Sequence, residues 1–177
     1  VFTTSDFGRS FVNATGDLPE NAYVFVLRED PRRPGLLYAG TEIGLYATRD
    51  SGKHWERLHL KNLPTVPVHD LLVHPRDNDL ILATHGRGLW ILDDATPVQE
   101  WSDEIAARPA HLFPIRRAVR FQVKPTRYGI GDKNFLGSNP PYGALLTYSL
   151  KQESGADERL EIEILDEAGT VLKNVDT

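Results

Sequence analysis

Hydrophobic positions in the first half of the chain fall into short runs of β-branched, aromatic and leucine residues, broken by proline, glycine and acidic residues. Tyr23-Val24-Phe25-Val26-Leu27, Leu36-Leu37-Tyr38-Ala39 and Gly44-Leu45-Tyr46-Ala47-Thr48 each predict a strand, because such side chains fit a pleated, half-buried surface. A second set follows: Val68-His69-Asp70-Leu71-Leu72-Val73, Asp79-Leu80-Ile81-Leu82-Ala83-Thr84 and Gly88-Leu89-Trp90-Ile91-Leu92-Asp93. Asp30-Pro31-Arg32-Arg33-Pro34-Gly35 and His74-Pro75-Arg76-Asp77-Asn78-Asp79 predict turns joining the first two strands of each set, since proline presets φ and Asn, Asp and Gly tolerate tight backbone. No stretch within these sets competes as a helix.

The two sets are copies. Thr4-Ser5-Asp6-Phe7-Gly8-Arg9-Ser10-Phe11 and Thr48-Arg49-Asp50-Ser51-Gly52-Lys53-His54-Trp55 share the pattern T-x-D-x-G-x-x-aromatic at a spacing of 44 residues. At the same offset Asp30-Pro31-Arg32 falls on His74-Pro75-Arg76, Ala39 on Ala83, and Gly44-Leu45-Tyr46 on Gly88-Leu89-Trp90. Asp50 falls on Asp94, where the glycine and aromatic are missing. A period in the low forties filled with short strands fits one four-stranded propeller blade per repeat. The expected fold is all-β: a partial β-propeller of about two four-stranded blades, then an incomplete β-sandwich-like segment.

The two motifs resemble the Asp-box, or bacterial neuraminidase repeat, of sialidases, reducing-end xyloglucan hydrolases and sortilin-type propellers. The run Thr84-His85-Gly86-Arg87-Gly88-Leu89-Trp90-Ile91-Leu92-Asp93-Asp94 resembles the last propeller repeat of bacterial proteins described as sortilin-like or glycosyl-hydrolase-like. The resemblance covers about residues 1–101 and implies an extracellular or periplasmic parent protein. The box occurs in enzymes and non-enzymes alike, so it speaks to fold and not to activity. Its own chemistry is structural: Asp6 and Asp50 accept backbone N–H groups across a turn between the third and fourth strands, Gly8 and Gly52 take positive φ, and Phe11 and Trp55 pack between sheets.

Ligands are then expected at the opposite ends of the strands, where the second-to-third-strand loops meet the starts of the inner strands. There the sequence brings Glu42, His69, Asp70, His85 and Arg87 within reach of one another. Arg87 suits bidentate capture of an acidic sugar, a peptide carboxylate or a phosphate, with His69 or His85 donating a further bond. Glu42 and Asp70 are the candidate acid and base if the reaction is glycoside hydrolysis, which needs two carboxylates flanking the scissile bond. The preferred expectation is a binding or interaction scaffold for glycan or peptide. A fragment of a sialidase-like or xyloglucanase-like hydrolase, with its catalytic residues mainly in other blades, is the alternative; a purely structural piece is a third.

Composition narrows the list of partners. The net charge of −5 and pI near 5.7 argue against a nucleic-acid surface, which needs a clustered basic field. Cysteine is absent, the histidine pairs His54/His59 and His69/His74 are spaced so that strand geometry turns them apart, and no glycine-rich fingerprint occurs, so neither a metal site nor a cofactor is expected. No apolar run approaches a membrane span. The sequence lacks methionine and Val1 opens inside a strand-like run, so a piece of a longer protein is expected, its exposed strand edges covered by further blades of the parent or by another chain.

Residues 1–105 are read as the propeller repeats, 106–110 as a linker, and 111–177 as the truncated sandwich-like segment. In the last, His111-Leu112-Phe113-Pro114-Ile115 and Val119-Arg120-Phe121-Gln122-Val123 are extended runs and 128–142 a long loop. Gly143-Ala144-Leu145-Leu146-Thr147-Tyr148-Ser149-Leu150 is a strand. Arg159-Leu160-Glu161-Ile162-Glu163-Ile164-Leu165 alternates as a half-buried strand should, and Asp166-Glu167-Ala168-Gly169 turns it back into Thr170-Val171-Leu172-Lys173. Asn139-Pro140-Pro141-Tyr142-Gly143-Ala144 and 164–169 resemble the immunoglobulin-like or fibronectin-like module of the same bacterial proteins.

Overall fold

A computed structural model describes residues 1–120, 142–152 and 160–175. The described chain is predominantly β, built of small antiparallel sheets, none closed. It divides into two compact units, Val1–Glu100 and Trp101–Thr177.

The first unit opens with a hairpin of β1 (Phe2–Thr3) and β2 (Val12–Asn13). A four-stranded meander follows, β3 (Val24–Glu29), β4 (Leu37–Thr41), β5 (Gly44–Thr48) and β6 (Glu56–Arg57). The third sheet holds β7 (Val68–Val73), β8 (Leu80–Thr84) and β9 (Gly88–Leu92). The second repeat therefore has three strands where four were expected. Its chain leaves β9 at Asp94, which takes positive φ (63°) and accepts the Thr96 N–H and hydroxyl on Oδ1, starting helix α1 (Thr96–Glu100) in place of a fourth strand.

The four-stranded sheet has an apolar, packed face on each side. Leu37, Ala39 and Tyr46 of the four-stranded sheet pack with Leu18 and Trp55 on one side. Leu36, Tyr38, Leu45 and Ala47 pack on the other with Leu71, Leu80 and Leu82 of the third sheet. The pairing registers show that the two repeats are not offset by a constant 44. Seven residues (30–36) connect β3 to β4, but six (74–79) connect β7 to β8. Two residues (42–43) connect β4 to β5, but three (85–87) connect β8 to β9. Leu82, not Ala83, is thus the counterpart of Ala39: Leu27 pairs with Ala39 and Leu71 with Leu82. A slip of one residue inverts the faces of a strand, so the correction puts Leu80 and Leu82 on the buried side. The opposite side of the third sheet, which carries Leu89 and Ile91, is exposed.

A buried polar network joins the two proline turns to α1. Asp30 Oδ1 accepts the N–H groups of Arg32 and Arg33, and Oδ2 accepts the Tyr38 hydroxyl at 2.9 Å and Gln99 Nε2 at 2.8 Å. Gln99 Nε2 also donates to Asn78 Oδ1, and Asn78 Nδ2 donates back to Gln99 Oε1, each at 2.9 Å. Burial, then the charge of Asp30, pushes the Tyr38 hydroxyl pKa far up, so it stays a donor.

In the second unit α2 (Asp103–Ala107) is capped by Ser102, whose hydroxyl accepts the Ile105 N–H. Residues 106–110, expected as a linker, hold the end of α2 and the start of β10 (Ala110–Leu112), because the Ser-Asp-Glu start favours a helical turn. Strand β10 pairs with β11 (Tyr148–Leu150), and β12 (Ile162–Leu165) with β13 (Val171–Val175). Asp166 Oδ1 accepts the N–H groups of Ala168 and Thr170, and Gly169 takes positive φ, which closes the expected hairpin. On its apolar face Leu160 and Ile162 are half-buried, while Ile164, Leu165 and Leu172 are exposed. The Val119–Val123 run lies partly, and the 128–142 loop almost entirely, outside the described residues. Among the described residues no helix is long and apolar enough to cross a membrane.

Candidate functional site

The proline turns and the two T-x-D-x-G motifs occupy one end of the strands. Ser51 N–H donates to Gly35 O, tying motif to turn. Within the second motif Asp50 Oδ1 accepts the N–H groups of Lys53 and His54 and the Thr48 hydroxyl, and Thr48 Oγ1 accepts the Gly52 N–H. The first is bonded in the same way, with Asp6 Oδ1 accepting Arg9 N–H, Ser10 N–H and the Thr4 hydroxyl. The Ser10 hydroxyl foremost, then its N–H and Thr4, lower the Asp6 pKa to about 2. At Asp50 desolvation works upward, but the bonds from His54, Thr48 and Lys53 override it and hold the carboxyl far down. These carboxylates are saturated acceptors within their own turns.

The aromatic ends of the motifs differ. Trp55 is buried with Leu18, Leu37, Ala39 and Tyr46, and its Nε1 donates to Ala14 O at 3.1 Å. Phe11, expected to pack between sheets, is 63% exposed, because β1 and β2 form a sheet of only two strands and no described sheet covers it.

At the other end of the strands lie the loops expected to bind. Glu42 N–H donates to Tyr23 O and His85 N–H to Pro67 O, both at 3.0 Å. Glu42 and His85 are therefore counterparts, each clamping its loop to the start of an inner strand. The His69 and His85 rings stack with centroids 5.1 Å apart and planes 24° apart, and Phe25 lies against His69 at 4.3 Å. Both Phe25 and His69 sit where the register shifts, between Val24 and Val26 and between Val68 and Asp70. Such an irregularity re-aims a side chain out of the normal alternation, and here it turns both rings outward. The result is an exposed row of three rings.

Of the other expected residues, Asp70 Oδ1 is taken up by Arg28 Nη2 at 3.1 Å and by Leu71 N–H, in an exposed ion pair between β3 and β7. Glu42 and Arg87 are exposed, and among the described residues their charged groups have no hydrogen bond or ion pair. The Arg87 carbonyl accepts Trp90 Nε1, which holds the backbone of the three-residue loop. The geometry brings His69 and His85 together and adds Phe25 and Arg28, which sequence reasoning missed. Phe25 was detectable, since it stands 44 residues before His69.

Among the described residues no group of three or more His, Asp or Glu side chains is arranged to hold a metal ion. No protein-family model matches the chain, and no curated protein or solved structure does either.

Proposed function

We propose that this chain is part of a secreted Asp-box propeller and that it binds glycan at the loop end carrying Phe25, His69 and His85. The observation that carries this reading is the exposed three-ring row. A solvent-facing aromatic row is out of place in a purely structural turn; with His69 stacked between its neighbours, the end rings Phe25 and His85 are the ones that offer a π face to the C–H groups of a sugar. His69 and His85 supply ring nitrogens for hydroxyl groups, and Arg87 supplies a cation for an acidic substituent. The 44-residue repeat, the doubly bonded aspartate turns and the stacking of successive sheets support the propeller architecture. Binding is favoured over hydrolysis because Asp70, one of the two candidate catalytic carboxylates, is already engaged by Arg28 and Leu71.

The test is a glycan array followed by saturation-transfer NMR on the best ligand. Phe25→Ala is expected to weaken sugar binding about tenfold, the loss of one ring contact of ~1.4 kcal/mol. Arg87→Ala is expected to weaken acidic glycans selectively. Peptide binding with no glycan binding, or affinities indifferent to Phe25 and His69, overturns the assignment.

A further inference from the structure

Two faces of the first unit are apolar and open. One belongs to the third sheet, where β8 and β9 pair as β4 and β5 do. Ile91 stands against Ile81 as Ala47 stands against Tyr38, and Leu89 against Ala83 as Leu45 against Gly40. Leu89 and Ile91 therefore hold the places of Leu45 and Ala47. Yet they are 71% and 58% exposed, where Leu45 and Ala47 are 1% and 0% exposed in the core. Leu72, opposite Ile81, is exposed on the same face.

The other open face belongs to the first hairpin. Phe2 pairs with Asn13 and Thr3 with Val12, which is the register of Tyr46 with Arg57 and Ala47 with Glu56, 44 residues on. Phe2 and Phe11 therefore hold the places of Tyr46 and Trp55, which are buried with Leu18, Leu37 and Ala39. Both phenylalanines are exposed instead.

The chain itself shows what covers a face of each kind. The four-stranded sheet packs Tyr38, Leu45 and Ala47 onto Leu71, Leu80 and Leu82 of the sheet that follows it. On its other side Tyr46 and Trp55 meet Leu18 and Val1, from the part of the chain that precedes it. Among the described residues the first hairpin has no sheet before it and the third sheet has none after it. Contiguous apolar surface left in water marks a contact site. These two faces are the two halves of one stacking contact, so a second copy of this chain supplies the missing half to each.

We infer that the chain associates head to tail with a second copy of itself, seating Leu72, Leu89 and Ile91 against Phe2 and Phe11 of the next molecule. The contact joins two different surfaces, so every pair leaves one face open at each end, and growth stops only where the rotation closes a ring. The inference rests on the observed stacking of sheets and uses none of the three rings of the loop site, so it stands or falls apart from glycan binding.

The test is size-exclusion chromatography with light scattering on the whole chain, from ~1 to ~100 µM. The mass is expected to rise from one chain of 19.9 kDa to two or more. Ile91→Glu and Phe2→Glu should each weaken association at least about tenfold, because each buries an unpaired carboxylate in the contact. Mixed in equal amounts, they should form a mixed dimer and grow no further, since Ile91→Glu keeps the hairpin face and Phe2→Glu keeps the face of the third sheet. At dilutions where the parent chain is a monomer, both variants should unfold at its denaturant midpoint, as exposed substitutions do. Leu89→Glu and Phe11→Glu take their places if either fails to fold. A monomer at every concentration, undiminished association of either folded variant, or a mixture that stays monomeric overturns the inference.

Discussion

Replacing Gln99 with leucine isolates the network that ties α1 to the two proline turns. The substitution nearly conserves volume and removes three hydrogen bonds: one to the Asp30 carboxylate and the reciprocal pair with Asn78. Asp30 Oδ2 keeps the Tyr38 hydroxyl, while Asn78 keeps a bond to Thr96 at 3.2 Å and a long one to Asp94 at 3.5 Å. A buried neutral hydrogen bond contributes about 1 kcal/mol net and a bond to a charged acceptor ~1.5–3. Relief from burying the Gln99 amide offsets ~1–2 kcal/mol of that sum. The expected loss is about 3 kcal/mol, or on the order of 10–20 °C in melting temperature for a unit of this size. Urea unfolding of the whole chain measures it, with hydrogen exchange assigning the change to the first unit. Asn78→Leu should destabilise by a similar amount, and the double variant should lose much less than the sum, because the bonds are shared. A Gln99→Leu cost under about 0.5 kcal/mol, or strict additivity with Asn78→Leu, would refute the reasoning.

Three further outcomes follow from the T-x-D-x-G turns. Trp55→Ala should cost about 3–5 kcal/mol in denaturant unfolding, whereas Phe11→Ala, at an exposed ring, should stay within about 0.5. Gly52→Ala should destabilise by more than Gly8→Ala. Both glycines have positive φ, but a Cβ at Gly52 would meet Ala14 O at 2.6 Å, whereas the nearest atom at Gly8 is 3.8 Å away; equal costs would remove the packing argument. The third concerns pH. The Asp50 hydrogen bond and then its charge raise the His54 pKa above 6.5. The resulting stability is fully present below the unfolded value and is lost as pH rises through the folded one. In NMR, Asp50→Asn should return His54 towards its ordinary titration; an unmoved His54 midpoint would show that the pair does not form in solution.

The strands of both repeats were legible because β-branched and aromatic runs bounded by proline and glycine leave few alternatives. The slip between the repeats was not. Matching Ala39 to Ala83 satisfies residue identity, but only backbone pairing reveals that one connection shortens and the next lengthens. The missing fourth strand left a trace in the sequence: Leu92 stands where Thr48 supplies a hydroxyl to its turn, and the glycine of the motif is absent. The departure into α1 depends on Asp94 adopting positive φ and on Asn78 meeting Gln99, contacts between residues distant in sequence. At the candidate site the closeness of His69 and His85 was expected from the order of strands and loops alone, and the structure stacks their rings. The third ring was hidden inside an apolar run, where Phe25 looks like core until the register shift turns it outward.

That pair of opposite length changes has a further consequence. The connections before and after β8 stand at opposite ends of one strand, so a residue removed from the first and added to the second slides the strand's numbering without moving its walls. The ring-bearing end thus acquires a longer loop, with His85, Gly86 and Arg87, while β9 stays in step with β5. These two repeats thus exchange one residue of length between their two ends. Variation at the ring-bearing end need not alter the spacing on which the stacking depends, and a search for related repeats should let these two connections vary together.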